Sequence, residues 1–425
     1  MSTEPVFGVE VYQNEFLHRG ADEVHAIVTV SATGGDRAGE AAVVIMVDCS
    51  GSMNYPPSKM DGARRATEAA IDTLRDGTAF AVVSGTHRAR EVFPGAGRLA
   101  VAGAATRRAA KASLEGLTAT GGTAISTWLL LAERLLATST APIRHGLLLT
   151  DGRNEHEEPE RLAEALARCA GRFTCDARGV GTDWEVREVT QIAAALLGSA
   201  DIVAEPDGLT ADFTAMMESV MGKEVGDVSL RLWTPLGASV RSVKQVAPSV
   251  ADLTDRRTEA PPRAGDYPTG AWGAESRDYH LALHVPPCDV GQEMLAARVS
   301  LVRAGGEPVA ARPGLIRAVW TSDMAAATVL NPQVAHYTGQ EELASVIQQG
   351  IDLRKRGDAR GATAKLGRAV QLAHSSGNEQ TSQLLAKVVD VEDAARGTVR
   401  LKAKVAEADE MTLETRSTKT VRVKK

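Results

Sequence analysis

The sequence predicts a multidomain protein: a doubly wound α/β domain inserted in a β-sandwich, followed by a C-terminal helical bundle and a disordered tail. Its 425 residues exceed the size of one ordinary domain. The apolar periodicity also changes along the chain. Strands and helices alternate from residue 41 to 222, strand-and-turn patterns lie on either side, and helical spacing begins at residue 339.

The α/β domain is predicted over residues 39–223. Its strands are expected at 42–48, 78–84, 89–93, 145–150, 174–180 and 200–204. Its helices are expected at 59–75, 104–115, 123–137, 157–170, 184–197 and 209–222. Several strands, such as GLLLT, are continuous apolar runs, which is typical of parallel strands covered on both faces.

The β-sandwich is predicted from two separate pieces, residues 1–38 and 224–325. Polar and apolar residues intermix in both, as in antiparallel sheets, and the second contains the Pro/Gly-rich loop APPRAGDYPTGAWG. Each piece is small, but together they supply six to eight strands. The alternative is a separate C-terminal sandwich with a frayed N-terminal arm.

Residues 335–406 are expected to form a helical bundle, because Gly, Asp and Asn separate three stretches with apolar residues at helical spacing. Hairpins of tetratricopeptide type and a plain three-helix bundle are both compatible with this pattern. Residues 407–425 form a polar, Thr-rich end that we expect to be flexible. The tail is interpreted either as a solvated end or as a phosphorylation segment, with Thr415 and Thr418 as candidates.

Composition narrows the class of protein. The chain is 44% hydrophobic with a formal net charge of −6, and no basic patch interleaved with aromatic residues indicates nucleic-acid binding. The N-terminus does not resemble a signal peptide, and no apolar run has bilayer length. Four cysteines occur without CxxC spacing, so we expect reduced thiols in a cytoplasmic protein that has no membrane partner.

A candidate metal site follows the predicted strands. Asp48, Ser50 and Ser52 come directly after the first α/β strand, and Asp151 follows another. Ligands of open parallel sheets bind beyond the carboxyl ends of the strands. Thr123 follows two glycines at the start of an apolar helix and is favoured over its neighbours Thr118 and Thr120. These hard oxygen donors suit Mg²⁺, Mn²⁺ or Ca²⁺ better than zinc.

The motifs DCSGSM, GGTAIS and LLLTDG resemble the three loops of the metal-ion-dependent adhesion site of von Willebrand factor type A domains. The family pattern is DxSxS, then a threonine, then the acid of TDG, and all five positions are filled over residues 39–223. The resemblance implies a Rossmann-like fold and a divalent cation, Mg²⁺ foremost. It also implies a protein partner that supplies an exposed Asp or Glu to the cation.

As a whole, the chain resembles cytoplasmic type A proteins of actinobacteria. Relatives there accompany Ser/Thr kinases and forkhead-associated domain proteins, which implies that a forkhead-associated domain reads phosphothreonine in the tail, at Thr415 or Thr418.

The sequence favours binding over catalysis. GxxxxGK[ST], GxSxG and a GxGxxG that opens a helix after a strand are all lacking, so we expect a signalling or assembly scaffold and not an enzyme. The alternative is an accessory subunit of an enzyme or of an AAA+ motor of the chelatase, metal-insertion type. Asp61, His87, Glu155 and His156 are interpreted as surface groups, the last two near the mouth of the site.

Overall fold

The computed structural model describes residues 5–35, 39–310 and 312–423. The chain divides into two compact units. The first contains Gly35–Asp227 and the short segment Gly270–Gly273, and the second contains Pro5–Gly34, Val228–Thr269 and the chain from residue 274 onward.

The first elements along the chain belong to the second unit. They are β1 (Val6–Gln13), β2 (Phe16–His18) and β3 (Glu23–Thr33). The elements of the first unit follow: β4 (Ala41–Asp48), α1 (Ser58–Thr73), β5 (Ala79–Gly85), β6 (Arg90–Phe93), β7 (Ala100–Val101), α2 (Ala104–Leu114), α3 (Ile125–Leu136), β8 (Ile143–Thr150), α4 (Pro159–Cys169), β9 (Thr174–Val180), α5 (Val186–Ala195), β10 (Ala200–Val203) and α6 (Leu209–Met221).

The first unit is a mixed sheet with helices between its strands. The strand order is β10-β9-β8-β4-β5-β6, and β7 pairs with β5. The neighbours from β10 to β5 are parallel, whereas β6 and β7 run antiparallel to β5. The strands and helices predicted between residues 41 and 222 are confirmed, and β7 is an addition. Because the strand order reverses around β4, the carboxyl ends of β4 and β8 form a cleft where ligands of such sheets bind.

Burial explains why β4 reads as an unbroken apolar run. All eight of its residues are buried. Alternate side chains Val43, Ile45 and Val47 join the core cluster that includes Ala63 and Ala66 of α1. A parallel strand covered on both faces has no solvent side to carry polar residues.

The strands after α6 are β11 (Lys223–Trp233), β12 (Ser239–Ala247), β13 (Ala251–Asp252), β14 (Thr258–Ala260), β15 (Ala264–Gly273), β16 (Ser276–His284), β17 (Glu293–Val302) and β18 (Gly314–Thr321). They belong to the second unit, except for the first five residues of β11 and the last four of β15. Two sheets result, with the orders β1-β3-β16-β12-β13 and β14-β15-β11-β17-β18-β2. They contain more strands than the six to eight expected from the sequence.

The N-terminal strands are paired members of these sheets. β3 pairs antiparallel with β16, from Glu23 opposite His284 to Ser31 opposite Ser276. β2 pairs parallel with β18. The two sheets pack closely at Gly314, where a Cβ would lie 2.7 Å from a methyl group of Val11 in the opposite sheet. Strands on both sides of the α/β segment in sequence therefore share one architecture.

The C-terminal elements are α7 (Met324–Thr328), α8 (Pro332–Lys355), α9 (Ala359–Ser375), α10 (Glu379–Val388), β19 (Val389–Asp393), β20 (Thr398–Leu401) and α11 (Glu407–Arg416). Asn331, Asp358 and Asn378 cap α8, α9 and α10 by accepting backbone N–H groups. The expectation that residues 335–406 are entirely helical is wrong, since β19 and β20 form a hairpin within them. Among the described residues, none of the helices has both the length and the apolar character needed to cross a bilayer.

The prediction of a disordered tail over 407–425 is also wrong for the described residues 407–416, which form α11; residues 424–425 lie outside the description. With Met411 and Leu413 as its only large apolar residues, this helix has too small an apolar face to be recognised from its sequence. Both are buried, and Leu413 joins the core of the helical region. Lys355 of α8 lies 2.6 Å from the buried Glu414. Tertiary contacts thus order a segment whose composition is typical of a solvated end.

Candidate metal centre

The candidate centre lies at the carboxyl ends of the neighbouring strands β4 and β8. Asp48 is the last residue of β4, and Asp151 directly follows β8. Both carboxylates are fully buried. The parallel pairing of β4 with β8 brings these two acids together although a long stretch of chain separates them.

Asp48 organises the first loop. Its Oδ1 accepts the backbone N–H of Ser50 at 2.7 Å. Its Oδ2 accepts the hydroxyl of Thr150 at 2.7 Å and the backbone N–H of Asp151 at 3.3 Å. Burial raises the pKa of Asp48 to about 6, and the nearby charge of Asp151 acts in the same direction, against the hydrogen bonds from Ser50 and Thr150. An additional positive charge at this point would therefore be favourable.

The hydroxyl groups continue from Asp48 towards Asp151. Ser50 Oγ and Ser52 Oγ lie 2.9 Å apart, and Ser52 Oγ donates to Asp151 Oδ1 at 2.7 Å. The residues after Ser50 form a single 3₁₀ turn, Gly51–Asn54, which directs both serine side chains to the same place.

Gly152 shows that Thr123 joins this group. A Cβ on Gly152 would lie 3.0 Å from Ser52 Oγ, 3.1 Å from Thr123 Oγ1 and 3.6 Å from Ser50 Oγ. Three hydroxyl oxygens from two separate loops therefore surround one point beside Gly152. Thr118 and Thr120, the alternatives left open by the sequence, are exposed.

Two histidines support the glycine pair ahead of Thr123. Thr123 N–H donates to His156 Nδ1 at 3.3 Å, and His156 N–H donates to Thr123 O at 3.1 Å. A Cβ on Gly122 would collide with the His156 ring, and one on Gly121 would lie 2.8 Å from His87 Nδ1. Both histidines are exposed, as predicted, and they pack against the loop that presents Thr123.

A second polar cluster fixes the loop that follows β8 to the start of α3. Asn154 Oδ1 accepts the N–H of Ile125 at 2.9 Å, and Asn154 Nδ2 donates to Glu157 Oε1 at 2.6 Å. Glu157 Oε1 also accepts the N–H of Ser126 at 3.0 Å. These bonds occupy amide groups of the first turn of α3, which have no partner within the helix. The positions of Asp151 and Thr123 are thereby linked.

Lys59 is a member of the site that the sequence analysis missed. This lysine of α1 is buried, and its Nζ lies 2.7 Å from Asp151 Oδ2 and 3.0 Å from Asp183 Oδ2. Burial lowers the pKa of Lys59, but the hydrogen bonds to Asp151 and Asp183 outweigh it and leave the pKa above its ordinary value. The available signal was its place on the apolar face of α1, next to Met60 and Ala63.

The donor set fits a hard divalent cation. Asp48, Ser50, Ser52, Thr123 and Asp151 offer carboxylate and hydroxyl oxygens, the ligands that Mg²⁺, Mn²⁺ and Ca²⁺ prefer. Within residues 5–35, 39–310 and 312–423, no cluster of three or more His, Cys, Asp or Glu side chains is arranged to hold a metal. Cation binding at this centre consequently depends on the hydroxyl groups.

The tail threonines lie in the second unit. Thr415 is buried in α11 and its Oγ1 donates to Met411 O at 2.7 Å. A kinase could reach this hydroxyl only if α11 opened, so burial disfavours Thr415 as a phosphorylation site, and its phosphorylation stays a prediction. Thr418 is partly exposed, and its phosphorylation stays a prediction.

Comparison with known proteins places this architecture among proteins of one domain type. The family model of the von Willebrand factor type A domain matches residues 41–202, and that of the von Willebrand factor type A C-terminal domain matches residues 371–417. A solved structure described as von Willebrand factor type A from Catenulispora acidiphila is 51% identical in sequence, with a TM-score of 0.95. That similarity covers 99% of this chain and 98% of the other.

Two further similarities are more distant. The structure of the ArnB paralog VWA2 from Sulfolobus acidocaldarius is 14% identical with a TM-score of 0.60, covers 98% of each chain and shows the fold alone. A curated but uncharacterized protein of Synechocystis sp. is 29% identical over 240 residues, which are 55% of this chain and 54% of that protein. The match thus spans about half the length of that relative.

Proposed function

Because the chain belongs to the von Willebrand factor type A family, whose domains commonly mediate protein–protein interaction, we propose that it is a cation-dependent interaction module. Asp48, Ser50, Ser52, Thr123 and Asp151 would hold a divalent cation. The cation would in turn accept an exposed Asp or Glu side chain from a partner protein. In this reading the protein is a bacterial signalling or assembly scaffold.

The observation that carries the proposal is the convergence of hydroxyl groups around Gly152. Three hydroxyl oxygens lie within 3.0–3.6 Å of one point, next to two buried carboxylates. Buried carboxylates with so few positive partners are costly unless a cation joins them. Type A domains often bind a divalent metal at this motif, and Mg²⁺ is the proposed ion because hydroxyl and carboxylate oxygens suit its hard character.

The charge of the donor set supports a role in binding a carboxylate. At most two carboxylates face a doubly charged ion, and Lys59 adds a positive charge next to one of them. The site therefore has no surplus of negative charge once a cation is present, and an acid from a partner would be attracted to it. We propose binding, not catalysis, because the hydroxyl groups and carboxylates of the site are already engaged in hydrogen bonds with one another.

Calorimetry with Mg²⁺ and Mn²⁺ alone tests the cation site. We expect weak binding to the wild type and none to an Asp48→Ala, Asp151→Ala double variant. Asp72→Ala is the matched control, since this acid lies on α1 and pairs with Lys111 at the surface. Equal affinity in the wild type and the double variant would overturn the assignment.

A pull-down from the native host, with Mg²⁺ or with EDTA, tests partner binding. We expect to find a partner protein that is retained with Mg²⁺ and released by EDTA. The Ser52→Ala variant should not retain it. An Asp→Asn or Glu→Gln substitution in the partner should also abolish retention. A partner that proves to be an AAA+ motor would favour the alternative function as its accessory subunit. A partner whose retention is unchanged both by EDTA and by the Ser52→Ala substitution would contradict the proposal.

A further inference from the structure

The ammonium group of Lys59 already supplies a positive charge to the candidate cation site, beside Asp151. Its side chain is 5% exposed, whereas the Asp183 side chain is 68% exposed. Lys59 therefore connects a buried acid, Asp151, with an acid at the surface. One lysine thus has two acidic partners, one buried and one at the surface.

The two oxygens of Asp151 have different partners. Oδ1 accepts the hydroxyl of Ser52, and Oδ2 accepts the ammonium of Lys59. One side of this carboxylate thus belongs to the hydroxyl cluster and the other to a positive charge supplied by the chain itself. Without Lys59, Asp151 would be a buried carboxylate beside a second one, Asp48.

We propose that Lys59 is an internal counter-cation: it neutralises Asp151 when no divalent cation is bound, and when one binds it gives up Asp151 and keeps its bond to Asp183. This inference rests on the proposed function, since it concerns regulation of the same site. A divalent cation held beside Asp151 would repel the ammonium group, whereas Asp183, which already accepts a hydrogen bond from it at 3.0 Å, would retain it. The long, flexible lysine stem permits the exchange without movement of α1.

The loop after β9 keeps Asp183 within reach. Trp184 is buried, and its ring nitrogen donates to Gly181 O at 2.9 Å. A Cβ on Gly179 would collide with the Trp184 ring, so the ring lies directly on the strand end. Gly181 N–H donates to Val203 O at 3.1 Å, which fixes the other end of the turn. Asp183 lies between these fixed residues. Its contact with Lys59 would therefore couple cation binding to this loop.

Calorimetry with Mg²⁺ and Mn²⁺, together with thermal unfolding in EDTA and in saturating Mg²⁺, tests the inference. Lys59→Met should bind Mg²⁺ about tenfold more tightly, because the competing charge is gone. Its unfolding temperature should fall in EDTA, and saturating Mg²⁺ should restore most of the loss. The control Lys111→Met removes a partly exposed lysine that pairs with Asp72 and should change neither quantity.

Asp183→Asn distinguishes the exchange from simple electrostatics. In the wild-type background it should weaken Mg²⁺ binding, because Lys59 loses its ion pair with Asp183 and stays with Asp151. In a Lys59→Met background the same change should have little effect, since Asp183 is exposed and acts only through the lysine. An equal effect in both backgrounds would overturn the exchange.

The outcomes separate the two proposals. If the wild type binds Mg²⁺ and Lys59→Met binds it no more tightly, the counter-cation role is wrong and the cation site stands. If neither protein binds Mg²⁺ or Mn²⁺, the cation site itself is wrong, and the inference falls with it. Should Lys59→Met fail to fold, Asp183→Asn still tests the inference, because unchanged or tighter Mg²⁺ binding by that variant contradicts it.

Discussion

Tyr337 of α8 donates its hydroxyl to the buried carboxylate of Asp278 in β16 at 2.5 Å. The same carboxylate accepts the hydroxyl of Thr29 in β3 at 2.6 Å and the Nε of Arg422 at 2.9 Å. One acid thus joins two strands, a helix and the C-terminal segment of the second unit. Arg422 supplies the positive charge that makes burial of the carboxylate tolerable.

Removing this acid should destabilise the second unit. We expect Asp278→Ala to lower the free energy of unfolding by about 3 kcal/mol, because three donors lose their common acceptor and Arg422 its counter-ion. Urea unfolding followed by tryptophan fluorescence measures the loss. The control Asp390→Ala removes a half-exposed acid that pairs with the exposed Arg400 and should cost less than about 0.5 kcal/mol. Equal losses for the two variants would contradict the role given to Asp278.

Glu341 should make the stability of the second unit depend on pH. It lies 2.7 Å from Lys244 and 2.5 Å from His280. Burial raises its pKa, but the hydrogen bonds and charges of His280 and Lys244 outweigh it and leave the pKa below the ordinary value. A carboxyl whose pKa is depressed in the folded state stabilises the protein above its unfolded pKa and loses this contribution as the pH falls.

We therefore expect Glu341→Gln to be about 1 kcal/mol less stable than the wild type at pH 7. The difference should shrink as the pH falls below about 4.3, the pKa of an unfolded glutamate, because the wild type then loses the same charge. Urea titrations at several pH values measure it. A difference that stays constant from pH 7 down to the lowest pH at which both proteins fold would be inconsistent with this account.

A substitution at Gly152 tests the candidate metal centre without replacing any of the proposed ligands. Gly152→Ala places a methyl group about 3 Å from the hydroxyl groups of Ser52 and Thr123, so these must move apart. We expect Mg²⁺ affinity to fall at least about tenfold, measured by calorimetry, with a small effect on thermal stability. Gly116→Ala is the control, because its methyl group would meet its nearest atom at an ordinary 3.7 Å. Undiminished affinity in Gly152→Ala would show that the cation binds elsewhere.

The tail threonines should respond differently to phosphorylation. Thr415 is buried, so Thr415→Glu should cost about 2 kcal/mol of stability, whereas Thr418→Glu at a partly exposed position should cost less. Mass spectrometry after treatment of the folded protein with a Ser/Thr kinase should find phosphate at Thr418 and not at Thr415. Only a phosphate at Thr418 would leave a forkhead-associated reader in place, and phosphate at Thr415 would show that α11 opens.

The sequence predicts best where local pattern and tertiary burial agree. β4 is buried on both faces, so its apolar run alone identified it, and DxSxS at its end located the carboxylate and hydroxyl groups. Lys59 could not be recognised because a lysine on a helix is normally solvated, and only the fold brings Asp151 and Asp183 to it. The hairpin of β19 and β20 and the helix α11 were missed for a related reason. Their few apolar residues are stabilised by contacts with distant segments, such as Glu414 with Lys355.

The pairing of β4 with β8 decides when the proposed cation site forms. Asp48 and the hydroxyl of Thr150 bond across a sequence separation of 102 residues, so the centre does not exist until those strands align. A nascent chain that has not yet released β8 from the ribosome has no such centre, and Mg²⁺ cannot nucleate its folding. Under the proposed function, a cation would instead bind the folded sheet and stabilise it by mass action. Bound Mg²⁺ would then slow the unfolding of the native sheet without speeding its formation.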